Sequence, residues 1–78
     1  MAEIKFEIIR SFGVIAEGKD GWKKEVNLVS WNGRKPKLDI REWDENHEKM
    51  SKGITLTADE VRELKKILED MDEESLEV

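Results

Sequence analysis

The sequence predicts an α+β domain in the order β-β-β-β-α, and three observations carry that expectation. Apolar residues alternate at period two through the first part of the chain. An Asn-Gly turn signal separates two alternating runs. A capping box opens an apolar stripe of helical spacing near the C-terminus.

The first strand is expected where Ile4, Phe6 and Ile8 alternate with Lys5 and Glu7. The phase changes at Ile8-Ile9, after which Phe12, Val14 and Ala16 form a second alternating set. A bulge at that point would bring both sets onto one core, because an extra residue flips the facing. Gly18-Lys19-Asp20-Gly21 reads as a turn, with two glycines available for positive φ. Trp22 to Trp31 reads as the second strand, with Val26, Leu28, Val29 and Trp31 divided between its faces. Asn32-Gly33 is the strongest short hairpin signal in the chain. Pro36 then allows only a strand start or an edge position. Lys37 to Trp43 is the cleanest alternation, placing Leu38 and Ile40 on one face and Lys37, Asp39, Arg41 and Trp43 on the other. Asp44 to Lys52 is a polar loop, and Gly53 to Leu56 a short fourth strand.

The helix start is explicit. Thr57 as N-cap and Glu60 three residues on make a capping box, with Leu56 and Val61 in the staple positions. Asp59 and Glu60 suit the positive end of the helix dipole. Val61, Leu64, Ile67, Leu68 and Met71 form the apolar stripe. Asp72 to Val78 is expected to fray into an acidic tail.

A chain of 78 residues and 9.1 kDa is one domain, read as residues 1–78. Its hydrophobic share of 37% is low for a self-sufficient core, so dimerisation through the helix stripe is expected. The formal charge of −5 is unevenly spread: residues up to Ala58 carry 11 basic and 10 acidic side chains, and those from Asp59 onward 3 and 9. Basic surface therefore survives on the sheet although the whole chain is acidic.

Cysteine is absent, which excludes disulfides, thiolate metal sites and cysteine nucleophiles. His47, among Asp44, Glu45 and Glu48, matches no calcium loop and reads as part of a solvated loop. The serines have one histidine to share and no Gly-x-Ser-x-Gly elbow, and no glycine-rich phosphate loop precedes the helix. No enzyme, metal or cofactor is expected. The longest apolar run, Val14-Ile15-Ala16, cannot span a membrane, and no signal peptide is visible, so a soluble cytoplasmic protein is expected.

The third strand suggests a ligand. A helix covers one face of a small sheet and leaves the other open. That open face would present Lys37, Arg41 and Trp43, with Arg34 and Lys35 at the rim. Cations follow phosphates while aromatic rings offer any base a stacking surface, which is how single strands are held without sequence readout. On pattern alone, Trp31 and Trp43 serve equally well as core residues beneath solubilising lysines.

The run Leu38-Asp39-Ile40-Arg41-Glu42-Trp43, a polar loop, and Lys52-Gly53-Ile54-Thr55-Leu56-Thr57 leading into Glu60 resembles the C-terminal domain of the transcriptional coactivator called positive cofactor four. The likeness covers residues 22 to 71. With Gly21-Trp22 and Val29-Ser30-Trp31-Asn32, the whole chain is similar to the small stand-alone bacterial members. The resemblance implies a four-stranded antiparallel sheet with a C-terminal helix, a homodimer joined through Val61, Leu64, Ile67, Leu68 and Met71, and single-stranded DNA as ligand. It implies transcription machinery as a partner and, for bacterial members, a nucleoid-associated location. Residues matching the family's binding positions are Trp31, Arg34, Lys35, Arg41, Trp43 and Lys52, and Lys23, Lys24, Lys37 and Lys49 complete the candidate set. The chain departs from the family in having one aromatic after the Asp-Ile-Arg-Glu motif where two are common. It also lacks the serine-rich acidic region of eukaryotic members, so phosphorylation control is not expected. Two alternatives are single-stranded RNA as the natural strand, and a protein-interaction module built on the acidic helix and tail.

Overall fold

Strands form where the alternation places them, and neighbours in sequence are neighbours in the sheet. The computed structural model describes residues 4–77. It contains β1 (Phe6–Glu17), a 3₁₀ turn (Lys19–Gly21), β2 (Lys23–Trp31), β3 (Lys37–Trp43), β4 (Ile54–Leu56), α1 (Ala58–Asp70) and a second 3₁₀ segment (Glu73–Glu77). The four strands form one antiparallel sheet in the order β1-β2-β3-β4, and the helix follows: the expected α+β fold.

The turn between β2 and β3 uses the Asn-Gly pair as anticipated. Asn32 and Gly33 take φ of 52° and 73°, and the Arg34 N–H closes the turn on the Trp31 carbonyl at 2.9 Å. In the turn before β2 the positive φ values fall on Asp20 and Gly21, while Gly18 stays extended.

The strand β1 departs from the expected pattern. A register shift lies between Ile8 and Arg10, where the phase change was read, but two more follow, between Ser11 and Gly13 and between Val14 and Ala16. Phe12, Val14 and Ala16 are therefore not one continuous alternating set. Twelve residues of β1 lie along nine of β2, and each extra residue bends the strand and adds twist.

The sheet rolls along its strands. Extending the β2–β3 register past Val29↔Lys37 would set Trp31 opposite residue 35. In a flat ladder that position lies roughly 26 Å from Trp43 at about 3.3 Å per residue. The two indole rings are nevertheless stacked, with centroids 6.4 Å apart and planes within 11°. Phe6 completes the cluster at 5.7 Å from Trp31 and 5.0 Å from Trp43. Inside the curl Asn27, Val29, Asp39 and Trp43 are all 0% exposed. The buried core thus sits on the face that carries the polar alternates.

The other face carries Val26, Leu28, Leu38, Ile40 and Leu56, each only half-buried, beneath the helix. The α1 capping box is complete: Thr57 Oγ1 accepts from the Glu60 N–H, and Glu60 Oε1 accepts from the Thr57 N–H at 2.8 Å. Yet no residue of α1 is buried. Beyond Met71, where a frayed acidic tail is expected, the chain takes a further turn. Asp72 Oδ1 accepts from the Glu74 N–H and the Ser75 hydroxyl donates to the Asp72 carbonyl, which winds Glu73–Glu77 into a 3₁₀ segment. Val78, the last residue of that expected tail, lies outside the described residues. Among the described residues no helix is long and apolar enough to cross a membrane.

Candidate nucleic-acid interface

The curl changes which candidate residues can meet a ligand. Trp43 was expected on an open sheet face; it is 0% exposed and fills the concave interior, so it offers no stacking surface. The cause is the rolled sheet, which folds the large indole over its own strand. Trp31, by contrast, is half-buried at the mouth of the curl.

Arg41 is also more enclosed than an open face would leave it, with 13% of its side chain exposed. Its Nε donates to Asp39 Oδ1 at 2.7 Å, and its guanidinium carbon stands 4.5 Å from the centre of the Trp31 ring. Asp39 is fully buried, so this pair is a charge-neutral unit stacked against an indole and not a free cation. The Nη1 of Arg41 donates to Met50 Sδ at 3.7 Å.

Of the candidate cations, Lys23, Lys24, Arg34, Lys35, Lys37, Lys49 and Lys52 are exposed. Arg34 and Lys35 sit in the turn that follows Trp31, and Lys37 opens β3 on the Trp31 face. Lys5, which the sequence pattern does not single out, is exposed as well and is tied to the same turn through its backbone. Its N–H donates to Asn32 Oδ1 at 3.1 Å, and its carbonyl accepts from the Asn32 N–H at 2.7 Å. Nothing in the sequence marks Lys5, because its placement depends on β1 pairing with the end of β2.

Lys23 lies on the concave face but at its far end, opposite Trp43. Lys24 lies on the helix-facing side, opposite Glu42, and is not brought together with Trp31. Lys49 and Lys52 belong to the β3–β4 loop. That loop folds back along β3 through a bridge of Trp43 with Met50 and bonds between Ser51 and Glu42 in both directions. Gly53 then passes so close to β3 that a Cβ there would lie 2.4 Å from the Arg41 Cβ and the Ile40 carbonyl.

A polar network inside the curl has no counterpart in the sequence pattern. Glu25, 6% exposed, accepts from Asn27 Nδ2 at 3.0 Å and contacts His47 Nε2 through both oxygens at 2.9 Å. Asn27 faces Asp39 across the β2–β3 ladder. Among the described residues, the buried atoms Asn27 Oδ1, Asp39 Oδ2, Trp31 Nε1 and Trp43 Nε1 have no partner within the chain. The carboxyl of Asp44 is held below its usual range, first by the Lys49 backbone N–H and then by that of Glu48, against an opposing effect of desolvation. Among the described residues no three His, Cys, Asp or Glu side chains converge as a metal ion would require.

The comparison with protein families returns a match to the model described as Transcriptional Coactivator p15 (PC4), over residues 19–67. The matched segment begins at the turn before β2 and ends within α1, so it includes Trp31, the basic turn, Arg41 and the β3–β4 loop. The chain is also 39% identical over 69 residues to an uncharacterized protein of Treponema pallidum (strain Nichols). That alignment covers 88% of this chain and 81% of the relative.

Proposed function

The chain belongs to the Transcriptional Coactivator p15 (PC4) family of DNA-binding, coactivator-like proteins, and on that premise we propose that it is a homodimeric, sequence-nonspecific single-stranded DNA-binding protein without enzymatic activity. It acts in transcription regulation or in handling opened DNA, in the cytoplasm or on the nucleoid, alongside the transcription machinery. The observation that carries the reading is the half-buried Trp31 followed directly by a turn with exposed Arg34 and Lys35, and by exposed Lys37 on the same sheet face, on a chain whose net charge is −5. A local cationic rim tracks phosphates while one partly open indole takes a base. Trp43 and Arg41 support that ring from beneath.

The dimer is supported by the helix side. The half-exposed sheet face, an α1 without a buried residue, and Ile54, Ile67 and Leu68, each more than half exposed, leave apolar surface uncovered on that side. Between α1 and the sheet a cleft of about 340 Å³ is lined by Phe12, Leu28, Pro36, Leu38 and Val61, among others. A second copy pressing its helix there would bury what one copy leaves open. A second reading, the acidic protein-interaction module, is favoured only by Leu76, exposed in the 3₁₀ segment among Glu73, Glu74 and Glu77.

Tryptophan fluorescence titrated with single-stranded DNA, single-stranded RNA and duplex tests the proposal. Single-stranded DNA is expected to bind more tightly than duplex, with a log–log salt slope of about −0.7 per phosphate neutralised. Equal binding of duplex, or indifference to salt, would sink it in favour of the acidic module. Tighter binding of RNA would make RNA the natural strand.

A further inference from the structure

We propose that His47 is a positioning residue for nucleic-acid binding: through Glu25 it fastens the β3–β4 loop to the sheet and sets Lys49 and Lys52 for phosphate contact, more firmly when its ring is protonated. The inference rests on the single-stranded DNA reading above.

His47 is the only histidine in the chain. Its Nε2 stands 2.9 Å from both oxygens of Glu25, and its ring packs at 5.6 Å on the buried face of Trp43. Its φ of 57° is uncommon for a residue with a Cβ, and these contacts hold it there. Glu25 needs the contact as much as the loop does. A buried carboxylate is costly unless it is paired, and Asn27 supplies only a neutral donor. Arg41 stands opposite Glu25 in the ladder but gives its Nε to Asp39. Among the described residues His47 is thus the one basic group paired with Glu25.

The loop transmits the contact to the lysines. The His47 N–H donates to the Asp44 carbonyl at 3.1 Å, and Asp44 Oδ1 accepts from the N–H groups of Glu48 and Lys49. The Lys49 carbonyl accepts from the Asp44 N–H, so the backbone of Lys49 is tied to the turn that His47 holds. Met50 and Ser51 then carry the loop along β3 to Lys52.

A neutral ring donates one hydrogen bond to the Glu25 carboxylate and leaves its charge unmatched, whereas an imidazolium pairs ion with ion and neutralises it. The charged groups on the elements packed against it include Glu25 and Lys23 on β2, Asp39 and Arg41 on β3, and Asp44, Glu45, Glu48 and Lys49 in its own loop. None of these side chains ordinarily changes charge between about pH 6 and 8. An imidazole is the side chain that ordinarily does, so a pH dependence in that window reads the contact between His47 and Glu25.

The experiment measures the binding of labelled oligothymidylate by the full chain across about pH 6 to 8 at constant ionic strength. Affinity of the wild type is expected to fall several-fold toward the higher pH. In H47Q, which keeps a donor but cannot be charged, and in E25Q, which removes the buried charge, the dependence should vanish. In K49Q the dependence should shrink while thermal stability stays at the wild-type value, an effect that a purely structural histidine would not produce. Persistence of the full pH dependence in a folded H47Q or E25Q, or a pH-independent wild type that still binds, would overturn the role of His47 alone. Absence of oligothymidylate binding at every pH would overturn the single-stranded DNA reading and this role with it.

Discussion

The two faces of the sheet have exchanged the roles that hydropathy would assign them. The concave face carries Glu25, Asn27, Asp39 and Arg41 among its residues and is the buried one; the helix-facing side carries valine, leucine and isoleucine and is half open. The concave face closes on itself because the curl and three large aromatics cover it. The convex face has only a helix of 13 residues to cover it. A rolled sheet can bury polar residues provided they pair with one another, as Glu25 does with Asn27 and His47, and Asp39 with Arg41. The apolar face left half open is the surface that the proposed dimer would cover.

The sharpest test of this difference compares the two stacked tryptophans. W43A should cost about 3–5 kcal/mol of folding stability, read by urea or thermal denaturation, because it empties the closed interior. W31A, at the mouth, should cost markedly less stability and instead roughly 1–3 kcal/mol of single-strand binding. The reverse pattern would mean that the sheet is open and Trp43 is the platform.

On the convex face, L68D changes a residue that is 51% exposed in one copy. The single chain should be destabilised by no more than about 0.5 kcal/mol, as surface substitutions usually are. The dimer should dissociate, with the mass by light scattering falling from twice 9.1 kDa to 9.1 kDa. A wild type already at the lower mass would show that the open face has some other cover.

Charge separates the two ends of the site. K35Q should flatten the salt slope by about 0.7 for each phosphate it leaves unneutralised. R41Q should leave the slope nearly unchanged while lowering stability, because its charge is already matched by the buried Asp39. A flattened slope in R41Q would mean that the Asp39 pair opens to admit a phosphate.

The smallest effect concerns Asp44. Its carboxyl titrates below its unfolded value of about 3.9, so its contribution to the loop is complete above that pH and disappears as acid carries the pH down through the folded value. Protection of the Glu48 and Lys49 amides, relative to their intrinsic exchange at each pH, should therefore fall only in that acid range, and D44N should remove the transition.

Strand order, the hairpin turn and the helix cap were legible because each rests on local chemistry: alternation, Asn-Gly, and Thr57 with Glu60. The basic rim at Arg34 and Lys35 was legible from the same turn. The curl was not, since it depends on three register shifts in β1, of which only the one at Ile8-Ile9 leaves a visible phase change. Without the curl, Trp43 serves equally well as platform or core, nothing draws attention to Glu25 and Asn27, and His47 reads as part of a solvated loop. Lys5 was missed for the related reason that a contact across 27 residues has no signature in either segment.

The bulges in β1 also bear on how the molecule avoids sticking to itself. β1 is an edge strand of 12 residues, and Ile9, Phe12 and Ile15, each lying at a register shift, are about half exposed. A straight strand of that length and composition would be a template for cross-β growth. With a bulge every third residue, the outer row of N–H and carbonyl groups never runs straight long enough to accept an incoming strand in register. Deleting Ile9, Phe12 and Ile15 to make β1 a regular partner of β2 would thus tidy the sheet and expose an aggregation seed along its edge.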